Sequence, residues 1–132
     1  MSNFNYRSQF HYSYAGQRVS LMARVMIGST GAPTIIANTG MGIASIVRNS
    51  AGNYTINLTN TFYNLLSLSV ISNSGASAPA APLTNIAASS VSVAAAPLVT
   101  IQMRNLSGVA TDPASGEILH IVMDMNRSST GN

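Results

Sequence analysis

Apolar residues in this chain arrive in short runs: Val19 to Ile27, Gly42 to Val47, Tyr54 to Leu58, Leu66 to Ile71, Val91 to Val93, Val99 to Met103 and Ile118 to Met125. Gly, Asn, Ser and Pro stand between them. No stretch carries the three-and-four-residue apolar spacing of an amphipathic helix. Short runs separated by turn residues specify strands instead, and about seven or eight of them build a β-sandwich or barrel. The expected fold is therefore all-β, one domain over residues 1–132. At 132 residues a chain buries roughly two-thirds of the surface it exposes when unfolded, so it can form a true core.

Alternation is clearest in Tyr54-Thr55-Ile56-Asn57-Leu58, and the preceding Asn49-Ser50-Ala51-Gly52-Asn53 supplies turn chemistry. Residues 42 to 58 thus read as a hairpin. The last run places Leu119, Ile121, Met123 and Met125 on one face and Ile118, His120, Val122 and Asp124 on the other, and the Leu/Ile/Met face is expected to be core. Thr59 to Leu66 is read as a single helical turn capped by Thr59 or Asn60. Residues 72–97, rich in Ala, Ser and Pro, are expected to be a surface excursion that adds little core.

The first fifteen residues carry a second pattern. Phe4, Tyr6, Phe10, Tyr12 and Tyr14 occupy even positions, with Asn5, Arg7, Gln9, His11 and Ser13 between them, so five of the eight aromatic residues lie here. In an extended segment one face is aromatic and the other polar. Three readings remain open: a first strand on the domain's own core, an arm that packs on another subunit, or a base-stacking surface. Phe4, Tyr6, Arg7, Phe10, Tyr12, Tyr14 and Arg18 are the candidate interface residues.

Charge restricts the function classes. Charged residues make up 7% of the chain, and six arginines against Asp112, Glu117 and Asp124 leave a net +3; soluble domains average roughly 25% charged residues. Such a surface suits a protein that neighbours cover. Every basic side chain is Arg, the cation enriched at protein interfaces. The arginines are scattered at 7, 18, 24, 48, 104 and 127 and form no basic run in the sequence, so nucleic-acid binding is not expected as the main role. Cysteine is absent, which removes disulfides and thiolate metal sites. The N-terminus lacks the apolar core of a signal peptide, and no run approaches the roughly 20 residues of a membrane span, so assembly in the cytoplasm is expected.

No catalytic, metal or cofactor site is expected either. Asp112 precedes Pro113 and is read as a turn former. Glu117 and Asp124 stand about 23 Å apart along one strand, beyond the reach of a carboxylate pair, and His120 and Asp124 stand about 13 Å apart. The glycines at 28, 31, 40 and 42 match no phosphate-loop spacing.

Five segments carry a likeness to a known group: Gly42 to Arg48, Gly52 to Leu58, Phe62 to Leu66, Thr111 to Gly116 and Ile118 to Ser129. In this order they resemble small virion proteins of tailed bacteriophages, over roughly residues 40 to 70 and 100 to 129. The resemblance implies a capsid decoration or cement protein on the shell exterior, bound to the major capsid protein and assembling as a homotrimer. It assigns no contact residue. Two other readings fit the chain: a self-assembling coat protein that encloses nucleic acid, and a binding module of a tail or fibre.

Overall fold

The computed structural model describes residues 18–37, 39–74 and 78–126. Eight strands follow in chain order: β1 (Arg18–Ile27), β2 (Pro33–Ile35), β3 (Ile43–Ser50), β4 (Asn53–Leu58), β5 (Asn64–Asn73), β6 (Leu83–Ser89), β7 (Leu98–Arg104) and β8 (Ile118–Asn126). No helix occurs among the described residues. The strands form two four-stranded sheets, β2-β1-β8-β5 and β3-β4-β7-β6, with every pairing antiparallel. The fold is a β-sandwich, as the short runs predict.

β8 sits between β1 and β5, paired from Arg18↔Asn126 to Met26↔Ile118 on one side and from Asn64↔Asn126 to Asn73↔Ile118 on the other. Alternation sends Leu119, Ile121, Met123 and Met125 inward, none more than 3% exposed. They meet Leu21, Ala23, Val25 and Ile27 of β1, and Tyr54, Ile56, Val99, Ile101 and Met103 of the facing sheet. The expected hairpin is β3–β4, turned through Ala51 and Gly52.

Three expectations are corrected. Thr59 to Leu66 forms no helical turn, because its amides bind carbonyls far along the chain: Thr59 N–H donates to Gly42, Phe62 N–H to Val91 and Tyr63 N–H to Asn126. Local helical bonds are thereby displaced, Phe62 enters the core, and β5 already begins at Asn64. Residues 72–97 are more than an excursion, since they contain β6, paired with β7, and bury Ala81 and Val91. Val91 to Val93 is a turn and not a strand, with Val93 N–H on the Ser90 carbonyl and Ala96 N–H on that of Val93. β2, which follows β1 as a three-residue strand, was too short to show an alternation.

Replacing Ile121 with Asp sets a carboxylate among apolar neighbours in the central strand, at a cost of about 5 kcal/mol or more. Typical domains hold only about 5–15 kcal/mol of stability. The variant is expected to lose its β-sheet circular dichroism or to be recovered only as aggregate.

Candidate functional site

Polar chemistry concentrates at the end of the sandwich where the β1–β2 loop, the β3–β4 turn and the β7–β8 loop meet. Asp112 accepts from Arg48 Nε at 3.1 and 3.0 Å, from Arg48 Nη2 at 2.8 Å and from the Gly52 amide at 2.9 Å. The Tyr54 hydroxyl lies 3.0 Å from Asp112 Oδ1 and 2.9 Å from the Gly31 carbonyl oxygen. Gly31 and Gly52 both take positive φ, 79° and 74°. A Cβ on Gly31 would stand 2.5 Å from an Asp112 oxygen, and one on Gly52 2.4 Å from the Met103 carbonyl oxygen. Both positions therefore require glycine.

Asp112 is thus more than a turn former; it joins Arg48, Tyr54 and the Gly52 turn through one carboxylate. Burial alone would raise its pKa, but the hydrogen bonds from Arg48, Gly52 and Tyr54 outweigh it and hold the group below the ordinary aspartate value. Burial, then the neighbouring carboxylate, pushes the Tyr54 hydroxyl well above its usual range. Every group here is satisfied by another, which is the chemistry of a structural tie.

The other two acids are engaged in the same way. Glu117 is 4% exposed, accepting from Ser72 Oγ at 2.5 Å and from the Ala114 amide at 3.2 Å. Asp124 lies on the outer face of β8 and accepts from Ser20 Oγ of β1 and Ser67 Oγ of β5. The Ser20 bond is the main reason its pKa falls below the ordinary value. Glu117 and Asp124 thus bind separate partners. Among the described residues no three metal-ligating side chains gather.

The outer faces of the two sheets differ. Ser45, Thr55, Asn57, Thr100 and Gln102 lie at paired positions on the outer face of the β3-β4-β7-β6 sheet, with Val47 and Leu83 exposed on its outer strands. The β2-β1-β8-β5 sheet instead turns Met22, Met26 and Ile71 to solvent, with Met22 62% and Ile71 66% exposed. Ile118, His120 and Val122 lie between them on β8. Over β1 and β8 an open hollow of about 720 Å³ is lined by Met22, Arg24, Thr39, Met41, His120 and Val122. This face is a candidate interaction surface.

Of the candidate interface residues, Phe4, Tyr6, Arg7, Phe10, Tyr12 and Tyr14 lie outside the described residues. Arg18 opens β1 at an exposed position opposite Asn126. The Met22 face was missed from sequence, although its signal was present: Val19 to Ile27 is apolar at both odd and even positions apart from Ser20 and Arg24. A strand apolar on both faces is one that is covered on both.

Two outcomes check the tie. Tyr54→Phe removes one buried hydroxyl and should cost about 1–2 kcal/mol, read by denaturant titration. Since the folded-state pKa of Asp112 is depressed, its contribution is complete above the unfolded value of about 3.9 and is lost as pH falls through the folded value. Asp112→Asn should lower the melting temperature at pH 7 and flatten the decline below about pH 4, leaving the part that belongs to Asp124.

No protein-family model, no curated protein and no solved structure matches this chain.

Proposed function

We propose that this chain is a structural virion protein that decorates an assembled capsid, binding the outer surface of the major capsid protein shell through the apolar face of the β2-β1-β8-β5 sheet. The observation that carries this reading is the contrast between the two sheet faces. The middle strands of one carry Ser, Thr, Asn and Gln, with Val47 and Leu83 exposed on its outer strands, and the other exposes Met22, Met26 and Ile71 around the rung of Arg24 and His120. Large exposed apolar side chains gathered on one sheet face support an interaction site there. Methionine suits it, because an unbranched, polarisable side chain fits an imperfectly matched surface.

The resemblance of residues 40 to 70 and 100 to 129 to small phage virion proteins supports the same role. So does the use of the described carboxylates, which tie strands together. A protein that binds the assembled shell and not free subunits stabilises the shell by mass action. In this reading the protein acts as a homotrimer, and its function is contact area.

Sedimentation of the purified protein with assembled shells and with dissociated coat subunits tests the proposal. The protein should pellet with shells alone and raise the temperature at which they open. Met22→Asp combined with Met26→Asp changes two solvent-facing positions, so the fold should persist while shell binding falls at least tenfold. Equal binding by the double variant, or no pelleting of the unaltered protein, would refute this role for the face.

A further inference from the structure

On the outer face of the β2-β1-β8-β5 sheet, Arg24 of β1 stands opposite His120 of β8, and the apolar rungs of Met22 with Val122 and of Met26 with Ile118 lie to either side. Arg24 is exposed. Its backbone is fixed: the amide donates to Thr39 Oγ1 at 3.2 Å and the carbonyl accepts from the Ile36 amide at 2.8 Å. Its side chain is not held. Among the described residues neither the Arg24 guanidinium nor the His120 ring has a hydrogen-bond or ion-pair partner.

We infer that Arg24 receives a carboxylate: the partner that covers this face presents one Asp or Glu side chain from an otherwise apolar surface to the Arg24 guanidinium, with the His120 N–H beside it. This assignment rests on the decoration reading, in which the partner is the major capsid protein. The described acids of the chain itself are committed elsewhere. Asp112 is paired with Arg48, and Glu117 is buried against Ser72. Asp124 shares the outer face, but it stands four residues along β8 from His120, about 13 Å away. It accepts from Ser20 and Ser67, and the arginine whose charge helps to lower its pKa is Arg18. Arg24 is left as the uncompensated cation of the face.

Covering the face decides the chemistry of what covers it. In water an exposed guanidinium is well solvated. Once a partner lies over Met22, Val122, Met26 and Ile118, water leaves, and a charge in apolar surroundings is strongly unfavourable unless it is paired and hydrogen-bonded. The planar fork of Arg matches a carboxylate through two parallel N–H donors. A nucleic-acid backbone fits less well, because its repeated phosphates call for several cations along one track. The next arginine on this face, Arg18, stands six residues along β1, about 20 Å away, and has Asp124 near it. One cation framed by methionine and valine suits a single acidic side chain. Such a pair fixes where the partner sits, because a shift along the sheet leaves both charges buried and unmatched.

Sedimentation with assembled shells supplies the test, on full-length variants whose fold is checked by circular dichroism. Arg24→Met keeps length without charge and should weaken shell binding about thirtyfold or more. Arg24→Glu should weaken it further, and Arg24→Lys should retain more binding than Arg24→Met. The sequence contains no lysine, so Arg24→Lys also introduces a single side-chain amine. A carbodiimide, which couples an amine to a carboxylate in contact with it, should join position 24 of that variant to an Asp or Glu of the capsid protein. Thr100→Lys, on the opposite sheet, should give no such product. If the unaltered protein fails to pellet with shells, the decoration reading fails and this inference with it. If the unaltered protein pellets while Arg24→Met and Arg24→Glu bind equally well, or position 24 couples to no capsid carboxylate, the inference alone is overturned. Loss of binding after nuclease treatment would assign the contact to phosphate and overturn it as well.

Discussion

The structure depends on how a chain with three carboxylates and no cysteine ties its strands together. Asp112 gathers Arg48, the Gly52 amide and Tyr54, and so fixes the hairpin against the loop that leads into β8. Glu117 holds the Ala114 turn and reaches Ser72 of β5. Asp124 joins Ser20 and Ser67 across the two strands that flank β8. Each acid serves as a cross-link, and each binds the chain through several hydrogen bonds rather than through one exposed ion pair. Charge-assisted bonds of this type are stronger than neutral ones. They set the register in which the apolar faces of β1, β4, β7 and β8 meet.

With the acids engaged internally, little charge remains to keep the outer surface apart from neighbours. The β2/β3 side is closed by Pro33, Arg48 and the Asp112 tie, and the polar ladder over β4 and β7 faces water. What remains is the exposed face of the β2-β1-β8-β5 sheet, with Met22, Met26 and Ile71, and beside it the uncharged β5/β6 side. On that face Arg24, His120 and Ile71 share one rung, with Met22 and Val122 on the rung to one side and Met26 and Ile118 on the rung to the other. In the proposed role the β2-β1-β8-β5 sheet is the one turned toward the shell.

Much of the fold was legible because its core strands alternate strictly. β4, β7 and β8 each place apolar residues at every second position, and the structure buries those positions. β6 was not legible: it is an edge strand with a register shift between Ile86 and Ala88, and its Ala87, Ala88 and Ser89 have no apolar face to display. Phe62 was read within a helical turn because local sequence does not reveal that Gly42, Val91 and Asn126 will take the amides around it. The role of Asp112 was hidden for the same reason, since Arg48 lies 64 residues away. The two-sided apolarity of β1 was visible in the sequence, and it marked a face that needs a cover.

The claim that this protein works by covering area on a shell makes copy number its most direct measure. Quantitative mass spectrometry of purified particles that contain this chain should find it in a fixed ratio to a separate major capsid protein, at hundreds of copies per particle. A few copies per particle, or shells built from this chain alone, would contradict the account.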